Sequence, residues 1–422
     1  MKNNHSNART VLIIGAGAAG LMAGIRAAEK DPNRQVLIAE RMERPGRKLL
    51  ITGKGRCNVT NDCDAREFIS AIPGDGRFLQ SAIHRFGTSD TKALFEGLGV
   101  ALKTERGNRV FPESDKADDI ADALAELARK NGVRVLRERA RHILTDESGA
   151  VCAVATERGE IECANAVICT GGLSYPGTGS TGDGYRMAQE LGHTIRTCRP
   201  SLVPLESPDK WCREMQGFSL RNVELYAYED DKLIYKALGE MLFTHFGVSG
   251  PLVLSASAHM RRFGECKYRL SIDLKPGLDD KKLDARLLRD FEKYNNREFR
   301  NSLGDLAGRM MIPVLVELSG IPGDTRTNSV TKQQRAALAS LLKHFPVAIS
   351  GPRPIAEAIV TSGGVATTEV NPRTMESKLV PGLHFAGEVL DLDAYTGGYN
   401  LQIAWSTAFV AANSLHQGCE DG

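Results

Sequence analysis

The segment VLIIGAGAAG at Val11 to Gly20, followed by QVLIAE ending on Glu40, constrains this chain more than any other stretch. Alone, G-x-G-x-x-G is a weak signal, and its flanks decide what it means. Val11 to Ile14 is an apolar run of the length a buried parallel strand needs, and Leu21 to Lys30 is helix-forming, with Gly24 its only Gly or Pro. This predicts a strand-turn-helix in which Gly15 permits the tight turn, Gly17 lets backbone N–H groups approach a pyrophosphate and Gly20 lets helix and strand pack closely. The helix start then faces the anion with its orphan N–H groups. Glu40 stands 20 residues past Gly20. A carboxylate there accepts both ribose hydroxyls and repels a 2′-phosphate, which favours FAD or NAD over NADP at this site.

At 422 residues the chain is long enough for two or three domains. With 54 basic against 52 acidic side chains, nothing in the bulk charge demands nucleic acid or an anionic membrane. The opening MKNNHSNART is polar and no apolar run approaches the ~18 residues of a spanning helix, so the expectation is a cytoplasmic protein with no membrane partner. Nine cysteines in no C-x-x-C pair fit reduced thiols, and Cys57 and Cys63, six apart, offer neither a dithiol redox pair nor a metal set.

Beyond Glu40, the Gly- and Arg-rich stretch from Arg41 to Asn61 reads as a loop lying over a pyrophosphate and flavin, its backbone amides and selected cations facing the cofactor. A helix follows from a capping Ser114 to Asn131-Gly132, then a small antiparallel meander with turns near Gly149 and Gly159 and a last parallel strand, NAVICTGG. Gly177, Gly179 and Gly182 spell a second G-x-G-x-x-G. Pro176 separates it from the preceding strand and no acid follows at the right distance, so it reads as a loop capping the helix Asp183 to Leu191. The expected organisation is 1–199 as the first part of a dinucleotide domain, 200–275 as a β-rich insert, 276–349 as a helical cap whose end can return to the insert, and 350–422 as the second part of the dinucleotide domain.

The C-terminal stretch carries the second strong signal. A strand, GLHFAGE, ends on Gly387-Glu388, and Gly397-Gly398 opens an apolar helix from Tyr399 to Leu415. Such a helix aims free N–H groups and its dipole at what lies before it. A reduced flavin carries negative charge along its N1 and O2 edge, so this helix start, with Asn400, is expected to stabilise the reduced form, while Glu388 reaches the ribityl hydroxyls.

GAGAAGLMAG with Glu40, RKLLITGKGRCNVTN, TGGLSYPGTGSTGDGYRMAQELGH, GEMLFTHFGVSGPLVL and the stretch from TSGGVATTEV to AWSTA together resemble the bacterial FAD-dependent oxidoreductases often labelled aminoacetone-oxidase-family FAD-binding enzymes. TGG followed by GSTGDG, with the C-terminal GE segment, is more distantly similar to fumarate-reductase-type flavoproteins. The resemblance implies an α/β fold: a Rossmann-like, glutathione-reductase-type FAD domain with a β-meander, carrying an inserted β-barrel and a helical domain. It places FAD contacts on Gly15, Ala18, Ala19, Glu40, Arg41, Lys48, Gly53, Asn58, Ala140, Gly171, Glu388, Asn400 and Leu401, beside the glycines Gly17, Gly20, Gly387 and Gly398. Candidates for proton transfer or substrate binding are His245, Tyr175, Tyr395 and Cys57, the last only if its surroundings are positive and partly open.

The expected activity is hydride transfer between non-covalently bound FAD and a small organic substrate, with NAD(P)H left open as the electron donor. Two other classes compete: an FAD-dependent tRNA-modifying enzyme, for which Arg297, Arg300 and Arg309 offer a surface, and a flavin-bearing redox sensor without turnover. Balanced charge and the lack of interleaved aromatics weigh against a nucleic-acid partner.

Overall fold

The computed structural model describes residues 9–416. The chain forms two compact units, one from the residues up to Ser201 and from Pro354 onward, the other from Leu202–Arg353.

The first unit is built on a five-stranded parallel sheet of β1 (Thr10–Ile14), β2 (Gln35–Glu40), β3 (Arg134–Arg137), β4 (Asn165–Ile168) and β5 (Leu383–Phe385), in the order β5-β4-β1-β2-β3. Every residue of β1, β4 and β5 is buried, as a sheet covered on both faces requires. Helix α1 (Ala18–Lys30) follows β1 directly and buries Leu21, Met22, Ile25 and its alanines. Gly24 is small because a Cβ there would stand 3.0 Å from the Ile38 side chain. The antiparallel meander is present as Ala140–Thr145, Val151–Thr156 and Gly159–Glu162. Its first turn is held by the Asp146 carboxylate, which accepts from the Ser148 and Ala150 amides.

Ser114 is not the cap of the next helix, which runs over Ala117–Lys130 from Lys116. Asp115 at φ 57° turns the chain first, and the Ser114 hydroxyl goes to the Asp119 carboxylate. The chain leaves this unit along Ile195–Ser201 and returns antiparallel beside it along Val360–Val365.

The second unit holds a seven-stranded antiparallel sheet in the order Phe345–Ile349, Tyr268–Asp273, Ser219–Glu229, Lys232–Thr244, Gly247–Ser249, Leu205–Glu206, Gly351–Pro352. Flat, its edge strands would lie about 29 Å apart at ~4.8 Å per strand. Yet Ser350 alone joins Phe345–Ile349 to Gly351–Pro352, so the sheet must coil until its edges meet, as in a barrel. Two helices, Lys210–Glu214 and Pro251–Ser257, interrupt the stretch expected to be β-rich, the second with Pro at its start. The helices Asp280–Lys293, Phe299–Ser302, Ile312–Ser319 and Lys332–Lys343 share a core with the sheet through Leu283, Leu287, Leu338 and Leu342. Among the described residues no helix is long and apolar enough to cross a membrane.

Candidate flavin site

The first glycine turn has the shape its sequence requires. The Gly15 amide donates to Ala39 O at 2.8 Å, and at φ 99° a Cβ on Gly15 would press on the Cys169 carbonyl at 2.8 Å. A Cβ on Gly20 would stand 1.8 Å from the Gly15 oxygen, so helix and turn meet there with no room for a side chain. Gly17 is the opposite case: a Cβ on it meets nothing within 4 Å. It caps α1 with no side-chain hydrogen bond and no acid in the first turn, leaving the Ala18 and Ala19 end of the helix positive and open. That pairing of open space with uncapped N–H groups fits a pyrophosphate.

Glu40, only 9 % exposed, accepts from the Ala16 and Met42 amides at 2.7 Å each. The carboxylate therefore braces the turn from the end of β2. Each of its oxygens keeps a second lone pair for a hydroxyl.

The last helix, α3 (Tyr399–Asn413; α2 is the short Arg47–Ile51), packs along α1. At one end Arg26 Nε donates to Asn413 Oδ1 at 3.1 Å. At the other, Gly387 lies against both Ala19 and Ala404, a Cβ on it being 3.0 Å from the Ala19 Cβ. The two helices thus run in the same sense, and both N-termini point to the end of the sheet where β1, β4 and β5 finish. Two dipoles converge on the anion-binding side of a parallel sheet, the usual place for a dinucleotide. Neither helix has a side-chain cap.

Gly397 and Gly398 open α3 at φ 127° and 97°. A Cβ on Gly398 would lie 2.2 Å from Thr60 O, so glycine is required by the neighbouring strand Thr60–Asn61. Asn58, with its amide turned to suit its neighbours, donates to Val110 O and Thr60 O and accepts from the Gly398 amide at 2.9 Å. Asn61 adds a bond from Nδ2 to Gly397 O at 2.9 Å. The buried Gln402 accepts from Thr60 and Thr91 and donates to Phe86 O. These contacts fix where the helix begins.

The Asn400 side chain finds its partners within the protein. Its Oδ1 accepts from the Ala394 amide at 3.0 Å and its Nδ2 donates to Ala394 O and Tyr395 O, so the side chain is spent on the loop before the helix. What the helix start leaves open is its backbone, with Leu401 half-buried beside it.

Lys48 and Glu388, both expected at the cofactor, pair with each other across 340 positions. Lys48 Nζ also donates to Ser174 Oγ at 2.7 Å, which donates to Glu388 Oε1 at 3.0 Å, and the Thr361 amide donates to the same oxygen at 3.0 Å. Thr361 Oγ1 accepts from the Leu173 and Ser174 amides. A Cβ on Gly172 would strike Thr361 Oγ1 at 2.4 Å, which explains the second glycine of Gly171-Gly172. Ser174 lies in the stretch TGGLSYPG and Thr361 in TSGGVATTEV, both part of the resemblance, but the sequence assigned neither a role; both are fully buried in this network.

Arg41 donates to Thr181 Oγ1 and pairs with Asp183, which Arg139 also holds through two bonds. Burial pushes the Asp183 carboxyl up, but the Arg139 hydrogen bonds and the charges of Arg139, Arg41 and Arg186 outweigh it and hold the group below its ordinary value. Gly53 (φ 57°) packs against the Asn58 amide and Gly171 (φ 71°) against Ser180, while Ala140 is buried at the start of the meander. The second glycine triplet forms a turn over Pro176–Thr178 that caps the helix Asp183–Glu190 from Gly182.

Of the candidates for chemistry, Cys57 fails its own condition. It is 0 % exposed, and burial pushes its thiol up to about 12. The neighbouring Arg56 is turned to Glu105 and Asp115 and over the Phe111 ring, so it does not activate the sulfur. His245 is not a buried strand residue: it lies exposed in the turn after Lys232–Thr244, its carbonyl accepting from Arg213, and belongs to the other unit. Tyr395 is half-buried, its amide donating to Ala71 O. Tyr175 is 36 % exposed and directly follows Ser174 of the Lys48–Glu388 network.

Comparison with known proteins adds four findings. The family model described as HI0933-like protein Rossmann domain matches residues 9–414. The ribosomal RNA dihydrouridine synthase of Escherichia coli is 34% identical over 406 residues, covering 96% of this chain and 97% of its own. The 3-dehydro-bile acid delta(4,6)-reductase of Clostridium scindens is 30% identical over 406 residues, covering 95% and 98%, respectively. Among solved structures, the 3-ketosteroid delta1-dehydrogenase of Sterolibacterium denitrificans superposes with a TM-score of 0.52 at 11% identity, covering 96% of this chain and 99% of that one, a likeness of fold.

Proposed function

The chain belongs to the HI0933-like family of FAD-dependent oxidoreductases, and on that premise we propose that it reduces the C5=C6 double bond of a uridine in RNA, with NADH or NADPH as the source of electrons. The observation that carries the reading is the pair of uncapped, co-directed helix starts, α1 at Gly17 and α3 at Gly398, with Glu40 at the end of β2. Gly15 to Gly20 and Glu40 would hold the adenosine diphosphate part of FAD, and the backbone of Gly398 to Leu401 the flavin ring. Once reduced, the flavin supplies a hydride.

The substrate reading draws on chemistry common to the relatives. Dihydrouridine formation and reduction of a 3-oxo-Δ4,6 bile acid both saturate a C=C bond conjugated to a carbonyl, adding a hydride at one carbon and a proton at the other. Full-length similarity to relatives named for ribosomal RNA, 34% and 31% identical, favours the uracil ring. It weighs against the expectation, drawn from balanced charge, that disfavours a nucleic-acid partner. The unit Leu202–Arg353 carries 23 basic against 19 acidic residues. In it Arg221, Arg289 and Arg309 are exposed and, among the described residues, make no ion pair, so they are available to phosphates. A ribosomal RNA substrate would place the protein in the cytoplasm.

The test is mass spectrometry of nuclease-digested ribosomal RNA from cells with and without the gene, followed by reaction of the purified protein with the unmodified RNA and NADH or NADPH. A uridine that gains two hydrogens only when the protein is present is the expected result. Unchanged RNA, with turnover of an unsaturated 3-oxo steroid acid instead, would move the assignment to a small-molecule reductase, which the 30% identical relative favours.

A further inference from the structure

Tyr175 stands on strained backbone that its neighbours hold in place. Its φ of 50° and ψ of 60° lie in the left-handed region, which a bulky L-residue keeps only where the surroundings over-determine it. They do so here. The Tyr175 amide donates to Ala356 O at 3.2 Å, and its carbonyl accepts from the Thr178 amide at 2.9 Å and the Thr178 hydroxyl at 2.8 Å. Before it, buried Ser174 is tied to Lys48, Glu388 and Thr361; after it, Pro176 restricts the chain.

All this anchoring presents an aromatic side chain that is 36 % exposed and whose phenol oxygen, among the described residues, has no hydrogen-bond partner. Glycine would adopt the same φ without strain, so the backbone does not ask for tyrosine. The Tyr175 backbone follows Gly171-Gly172 past the C-terminal end of β4 and directly continues from Ser174, which bonds Glu388. Burial, then the Glu357 charge, raise the phenol above its ordinary value, so it stays protonated, and the ring face is the surface it offers to a ligand.

We propose that Tyr175 is a positioning residue whose ring stacks on the planar pyrimidine of the substrate, an inference that rests on the uridine reading above. Stacking on an aromatic face needs a flat conjugated ring and tolerates any sequence around it. Saturation of C5 and C6 makes both carbons tetrahedral and puckers the base. The platform that holds the substrate therefore loosens its grip on the product.

The test uses the FAD-loaded protein and flavin difference spectra, titrated with an RNA hairpin bearing one uridine and with the same hairpin bearing dihydrouridine. Tyr175→Phe should bind the uridine hairpin within about twofold of wild type, since the ring is kept. Tyr175→Gly should bind it about 5- to 150-fold more weakly, the ~1–3 kcal/mol of one base–aromatic stack. Its thermal midpoint should not fall, because the strain is relieved. The preference for uridine over dihydrouridine should persist in Tyr175→Phe and vanish in Tyr175→Gly, a change that a purely structural role does not produce. Unchanged affinity and preference in Tyr175→Gly, or a loss in Tyr175→Phe as large as in Tyr175→Gly, overturns the stacking role. The same series is run with a 3-oxo-Δ4 steroid acid and its saturated ketone. A wild type that answers only to the steroid removes the RNA reading while Tyr175 is judged on that ligand, and one that answers to neither overturns both.

Discussion

Replacing Gly17 by alanine separates the cofactor argument from the folding argument. Gly17 has φ −77°, which any residue adopts, and its added methyl meets no atom within 4 Å. The cost to the fold is then that of alanine in place of glycine as helix cap, about 1 kcal/mol or less. The ligand side differs. A methyl standing in front of the α1 start pushes a pyrophosphate oxygen away from at least one backbone N–H. A hydrogen bond to a charged group is worth about 1.5–3 kcal/mol, so the Kd for FAD should rise roughly 10- to 150-fold. Gly20→Ala is the contrasting variant: its Cβ would overlap the Gly15 oxygen at 1.8 Å, and it should lose folded protein before any affinity can be measured. The assay is urea unfolding of the apoprotein beside fluorescence titration with FAD. A Gly17→Ala protein with unaltered stability and unaltered FAD affinity would refute the placement of the pyrophosphate before α1.

Asn400→Ala should lower stability by about 1–3 kcal/mol in chemical denaturation, through the lost loop bonds to Ala394 and Tyr395, and leave the flavin midpoint potential where it was; a shifted potential in a dye-equilibrated titration would return the side chain to the flavin edge. Native Cys57 should resist iodoacetamide at pH 8 while exposed Cys152 reacts, since a thiol near 12 and fully buried gives almost no accessible thiolate; peptide mapping that finds Cys57 labelled first would contradict its burial. His384 is fully buried, and burial draws it down to about 4 against the pull of the Glu376 charge. A depressed histidine leaves stability intact above its unfolded value near 6.5 and removes it as pH falls toward 4, with a slope up to about 1.4 kcal/mol per pH unit. Denaturation midpoints of wild type should therefore fall across that window more steeply than those of His384→Leu, and parallel curves would mean that His384 does not bind its proton on unfolding.

What the chain declares locally is its backbone demand. Gly15 and Gly20 are legible because a turn that lets a helix press on its own strand tolerates no Cβ, and Val11 to Ile14 or Ala166 to Ile168 because a strand buried on both faces is apolar along its length. These requirements involve residues within a few positions of one another, and the pattern alone carries them. Side-chain partnership is a different matter. Lys48 meets Glu388, Asn58 meets Gly398 and Gln402 meets Thr60 only once segments hundreds of residues apart are packed together. Until then each polar residue near a glycine turn is equally suited to a ligand and to a neighbour. Asn400, read as a flavin contact, is taken by its own preceding loop, and Cys57, read as a thiol that could react, is sealed by the core around it. The shared direction of α1 and α3, which aims two dipoles at one place, is likewise a property of the packed unit, because a helix carries its dipole from its sequence but acquires its target only from the fold.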